Sequence, residues 1–108
     1  MLEEASRRHW ERYLDSDPKF EYDPEKDRKN RAKHRGRSLS EGATVFRDRL
    51  AIDMPDPDHS LDENRCIIIG MTERNRIGVV GYTDRGDDTR IFWHRKPTQS
   101  ECKDYENG

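Results

Sequence analysis

Apolar and polar positions change rhythm along the chain, and each rhythm predicts an element. Leu2, Ala5, Trp10, Tyr13 and Leu14 make a ragged apolar stripe, which predicts a helix over residues 2–14 ended by Asp15-Ser16-Asp17-Pro18. A short strand is expected from Lys19 to Tyr22. Asp23-Pro24-Glu25 then opens a helix, because Asp23 can accept from free backbone amides and Pro24 loses nothing by lacking an N–H in the first turn. That helix, from Pro24 to about Arg35, is almost wholly polar, with Ala32 as its one apolar residue. Lys26, Asn30, Lys33 and His34 share a face of it. Such a face is either simply solvated or borders a phosphate site. Gly36 supplies the stop.

Ser38 and Glu41 form a capping box for a second helix with Leu39, Ala43 and Phe46 as its stripe. Strand periodicity comes next. Leu50, Ile52 and Met54 alternate with polar neighbours, Pro55 to Ser60 is a loop, and Arg65 to Thr72 is apolar on both faces and reads as a central strand. Arg76 to Thr83 and Thr89 to Arg95 are the next strands, joined by a turn at Asp84-Arg85-Gly86-Asp87. Strict alternation puts Arg90, Phe92 and His94 on one face of the last strand and Ile91, Trp93 and Arg95 on the other. Thr98 with Glu101 caps a final helix to about Tyr105. Tight turns between the last strands favour an antiparallel meander. The expected fold is α+β: N-terminal helices, a three- to four-stranded antiparallel sheet and a C-terminal helix, with residues 1–18 as a helical extension of one domain over 19–108.

Composition narrows the function classes. In 108 residues, 30% are hydrophobic and 41% charged, so the core is thin. Apolar surface around Leu50, Ile52, Phe46 and the last helix is therefore expected to await a partner. No apolar run is long enough to span a bilayer, and the acidic start lacks a signal core, which predicts a cytoplasmic protein. Cys66 and Cys102 have no metal or disulfide spacing and are expected as reduced thiols. The net charge of −2 divides into blocks of +2 over residues 1–37, −5 over 38–64, +3 over 65–96 and −2 over the rest. Two locally basic stretches suit an anion without making a general nucleic-acid sponge.

The candidate chemistry is phosphodiester cleavage. Arg65 opens the central strand and Arg95 with Lys96 ends the last; guanidinium forks match phosphate oxygens. His34, His59 and His94 can titrate near neutrality, and Lys33 can supply charge. RNA cleavage needs a base for the 2′-hydroxyl, an acid for the leaving oxygen and cations for the phosphorane, and no metal or cofactor is required. Asp56, Asp58 and His59 share a loop, but their spacing reads as turn chemistry.

The run Phe20-Glu21-Tyr22-Asp23-Pro24-Glu25-Lys26, then Asn30, Lys33-His34 and Ala43-Thr44-Val45-Phe46-Arg47-Asp48, resembles the BrnT family of bacterial toxins. So do Asp56-Pro57-Asp58-His59-Ser60, Glu63-Asn64-Arg65, Ile69-Gly70, Tyr82-Thr83, Arg90-Ile91, Arg95-Lys96, Thr98 with Glu101, and Tyr105-Glu106. The resemblance spans Phe20 to Glu106. It implies a RelE-like ribonuclease that arrests translation and is neutralised by a BrnA-type antitoxin, whose ribbon-helix-helix part reaches operator DNA. Residue chemistry and the resemblance together make Lys33, His34, His59, Arg65 and Arg95 the catalytic candidates, with Arg90, Tyr82, His94 and Lys96 as substrate-binding candidates and no metal. The chain departs from the pattern in residues 1–19, in an apparent insertion at Arg35-Gly36, and in Trp93-His94 where a Ser-Ala pair is common. The alternative is a non-catalytic module acting as co-repressor in a DNA-binding complex.

Overall fold

The computed structural model describes residues 19–58, 64–86 and 88–108; the expected helix over residues 2–14 and His59 lie outside them. Strands β1 (Lys19–Glu21), β2 (Ile52–Pro55), β3 (Arg65–Met71), β4 (Ile77–Arg85) and β5 (Asp88–Arg95) form one sheet in the order β1-β5-β4-β3-β2. Helices α1 (Pro24–Lys33) and α2 (Leu39–Ala43), with a 3-10 turn at Thr44–Arg47, precede β2, and α3 (Gln99–Asn107) closes the chain.

The antiparallel meander of β2 to β5 matches expectation, but the sheet has five strands and is mixed. β1 pairs parallel to β5, Phe20 opposite Thr89 and Glu21 opposite Arg90. A parallel pair needs a long crossover, and here two helices and three strands provide it. The short strand expected from Lys19 to Tyr22 is thus present as Lys19–Glu21, and it joins the sheet as an edge strand. β4 runs on through Arg85, so Asp84 and Arg85 belong to the strand rather than to the expected turn, and Gly86 follows with φ +65°.

The sheet is covered on both faces. Leu39, Val45, Phe46, Ile68, Val80, Tyr82 and Ile91 form the core under α2, where the Phe46 ring packs on Phe20 and edge-on to Tyr82 at 5.0 Å. On the other face Ile52, Ile69 and Val79 lie with Trp93 and with Tyr105 of α3. The Tyr105 hydroxyl donates to Asp48, which also accepts the Met71 amide at 2.8 Å. Phe46 and Ile52 are therefore buried, contrary to the expected open patch. Among the described residues Leu50, 60% exposed, is the one large apolar side chain left in solvent. None of the helices is long and apolar enough to cross a membrane, among those described.

Two local devices fix the relation between α1 and β5. α1 has no apolar stripe because polar bonds hold it. Asp23 caps its start at the Glu25 amide, Asp27 accepts from the Leu39 amide at 2.7 Å, and Asn30, its one buried residue, bonds across to β5. The second device is a bulge. Tyr82 faces Ile91 and Gly81 faces Trp93, so Phe92 has no partner on β4. The alternation of β5 shifts there. His94 joins Ile91 on the α2 face, and Trp93 and Arg95 take the other, which corrects the faces expected from strict alternation.

Candidate functional site

β1 covers only the first residues of β5, so the outer edge of β5 beyond Arg90 is left to α1. Asn30 acts there as a substitute strand. Its Oδ1 accepts from the His94 amide at 3.2 Å, and its Nδ2 donates to the His94 carbonyl at 2.8 Å and the Arg37 carbonyl at 2.7 Å. A groove of about 410 Å³ opens along this junction. Lys26, Lys29, Lys33 and His34 of α1 and the adjoining turn form one wall, and Phe92, Trp93 and Arg95 of β5 form the other. A second pocket of about 300 Å³ shares Lys33 and His34 and is otherwise lined by Arg35, Arg37, Arg76 and Lys96. Every side chain around it is a cation or an imidazole.

Three catalytic candidates, Lys33, His34 and Arg95, thus meet in one groove. Arg65 of β3 does not line the groove itself but touches one of its walls, its guanidinium carbon 4.0 Å from the centroid of the Phe92 ring. Lys96 joins the second pocket. The other candidates lie elsewhere. Arg90 pairs with Glu21 of β1 at 3.3 Å, at the opposite end of β5. Tyr82, 3% exposed, donates to Asp53 at 2.9 Å. Burial and the facing Asp53 carboxylate push its phenol up, so it keeps its proton. His94, at 0% exposure, is a core residue rather than a substrate ligand.

The His94 site is built from small residues. A Cβ on Gly42 would stand 3.0 Å from His94 Cβ, and one on Gly78 would stand 2.6 Å from its Nε2. The Ser38 carbonyl, 2.9 Å from Nδ1, can only accept, which places the proton on Nδ1 and leaves Nε2 to accept from Arg37 at 3.0 Å. Arg37 also donates to the Ile77 carbonyl, so His94 and β4 together aim it at the second pocket. Arg35 and Gly36 both have positive φ, +52° and +85°, after the end of α1. Gly36 takes this conformation freely, while Arg35 is held there at a strain of roughly 1 kcal/mol.

Charge in the site is partly paired. Arg95 makes a two-pronged bond to Glu101 of α3 at 2.8 and 2.9 Å, and Glu101 also completes the α3 capping box. Arg76 forks onto buried Glu41, whose carboxyl the guanidinium draws down to about 2 against the effect of burial. Lys33, Arg35 and Lys96 make no ion pair among the described residues. His34 is lowered by burial and then by Lys33, Arg95 and Arg37, so near neutral pH it stands as a free imidazole able to accept a proton. Among the described residues no group of three or more His, Cys, Asp and Glu side chains converges as a metal site would need. Asp56 instead accepts the Asp58 amide, which is turn chemistry.

Buried His94 makes the fold acid-sensitive in a definite window. Burial, first, and the nearby Arg37 and Arg76 hold its imidazole below 6.5, outweighing the Ser38 bond and Glu41. The unfolded chain takes up this proton near 6.5 while the folded chain refuses it until lower pH. Stability is therefore full above that value and falls as the pH drops below it, by up to about 1.4 kcal/mol per pH unit. A further loss comes as the pH falls from 4.5 through about 2, where Glu41 gains its proton. Melting temperatures between pH 8 and 5 should fall in the native chain and fall less in His94→Gln. An equal slope in both would mean that His94 is not held neutral.

Sequence reasoning missed Asn30 as the clamp and Phe92 with Trp93 as the floor. A lone Asn on the inner face of a polar helix, and glycines at 42, 78 and 81 opposite two bulky residues, were the available signals. No curated protein matches this chain. A family model described as "Ribonuclease toxin, BrnT, of type II toxin-antitoxin system" matches residues 22–101, a stretch that holds both walls of the groove. The chain belongs to the BrnT family of ribonuclease toxins.

Proposed function

We propose that the chain is a toxin that cleaves RNA in the groove between α1 and β5 without a metal ion, and so arrests translation in the cytoplasm. The convergence of Lys33, His34 and Arg95 on that groove, with Arg65 against its floor, carries this reading. His34, neutral near pH 7, takes the proton of the ribose 2′-hydroxyl as that oxygen bonds to phosphorus. Lys33 and the arginines hold the charge that gathers on the phosphorane, and an ammonium proton from Lys33 or Lys96 goes to the departing 5′-oxygen. The products are a 2′,3′-cyclic phosphate and a 5′-hydroxyl. His59, outside the described residues, belongs to the same proposal as a candidate.

A type II toxin implies an antitoxin. We take the partner to be a BrnA-type protein whose ribbon-helix-helix part binds operator DNA, with the toxin reaching DNA only through that complex. Purified chain should cut labelled RNA equally with and without chelator and leave a DNA strand of the same sequence intact. Cleavage lost to chelator, or equal cutting of DNA, overturns the 2′-hydroxyl route. A folded chain that leaves RNA whole points instead to a non-catalytic co-repressor. Induced expression should stop growth, and co-expressed antitoxin should restore it.

A further inference from the structure

Phe92 and Trp93 are neighbours in sequence, yet both line the groove, because the bulge turns two successive side chains toward it. The indole lies close against β4. A Cβ on Gly81 would stand 2.3 Å from Trp93 Cε2, so only glycine admits the ring at this depth. Cations surround the two rings. Lys26 Nζ is 5.5 Å from the Phe92 centroid and Arg95 Cζ is 5.4 Å from the Trp93 ring, with Lys29 and Lys33 on the facing wall. Beyond Lys33 and His34 the basic pocket continues the positive surface.

We propose that Phe92 and Trp93 form a base-stacking subsite that takes one unpaired nucleobase of a single-stranded nucleic acid, with its phosphates running along Lys33 into the basic pocket. The inference rests on the proposed RNA cleavage and names what the site selects. A small anion would use the lysines and leave the rings idle. An apolar peptide would have to strip water from several lysines at the rim. A nucleotide uses both surfaces at once, the base on the rings and the phosphates on the cations. A base inside a duplex is already stacked and cannot reach the floor, so the subsite selects single strands.

The test uses a short oligodeoxyribonucleotide, which has no 2′-hydroxyl and survives the enzyme. The chain has two tryptophans, so Trp10→Phe leaves Trp93 as the fluorescent reporter. Its emission should be quenched by the single strand, and far less by an abasic strand with the same number of phosphates. Trp93→Leu, which still fills the space over Gly81, should weaken binding of the intact strand about tenfold, and Trp93→Phe should stay within about threefold of the parent. Equal quenching and affinity for intact and abasic strands overturns the subsite, and that comparison needs no variant to fold. Quenching by the antitoxin with none by the oligonucleotide also overturns it and gives the floor to the partner. Base-dependent quenching in a chain that does not cut RNA keeps the subsite and removes the ribonuclease. RNA cleavage alongside full oligonucleotide affinity in Trp93→Leu does the reverse.

Discussion

Lys33→Ala is expected to slow RNA cleavage about a hundredfold or more, the loss typical of removing one group that stabilises transition-state charge. Its ammonium stands at the end of α1, shared by both pockets, exposed and without an ion pair among the described residues. Folding stability should move by less than about 1 kcal/mol, as for other exposed positions. Single-turnover cleavage of a labelled RNA beside a urea unfolding curve separates the two effects. Full activity in a folded Lys33→Ala chain would remove the residue from the mechanism. Arg95→Ala is the poorer experiment. It also breaks the fork to Glu101 and the contact with Trp93, so activity and stability fall together.

Asn30→Ala should be among the most damaging substitutions for the fold. It deletes three hydrogen bonds and leaves the His94 amide and carbonyl and the Arg37 carbonyl without the partner they share. A loss of about 3 kcal/mol is expected, since each buried polar group left unpaired costs roughly 1–3 kcal/mol and partial solvation relieves some of it. Cleavage should drop further than the unfolded fraction accounts for, because Lys33 and His34 ride on the helix that Asn30 anchors. Asn30→Asp sharpens the test. It has nearly the same shape and still accepts from the His94 amide, but a carboxylate cannot donate to either carbonyl. It should be about as harmful as alanine. An Asn30→Asp chain as stable as the parent would show that the clamp is not what holds α1 to the sheet.

Much of the fold is legible in the sequence because its signals are local. Asp23-Pro24, Ser38 with Glu41 and Thr98 with Glu101 mark helix starts that the structure reproduces, with side-chain oxygens on backbone amides in each case. The apolar run around Ile68 is an interior strand, paired on both sides by β4 and β2, as its two-sided character required. Features set by distant partners are not legible. The three residues of β1 gain their place from β5, and no local pattern announces that pairing. The bulge at Phe92 is one extra residue, and counting by twos past it assigns His94 and Trp93 to the wrong sides. Of the site, Lys33, His34 and Arg95 could be named from residue type and order. Their meeting point could not, since it depends on Asn30 spanning from helix to strand. Tyr82 and His94 show the opposite failure. Both are chemically capable, and both are consumed by the core.

The bond between Asn30 and His94 joins residues 64 positions apart, and the Arg37 to His94 bond joins residues 57 apart. A nascent chain therefore exposes the lysine-bearing helix long before the ribosome has made the strand that turns it into a cleft. Premature termination anywhere ahead of β5 yields a fragment with the cations and none of the geometry. On the proposed reading, the groove that would cleave RNA is thus completed only in the last stretch of the chain's own synthesis.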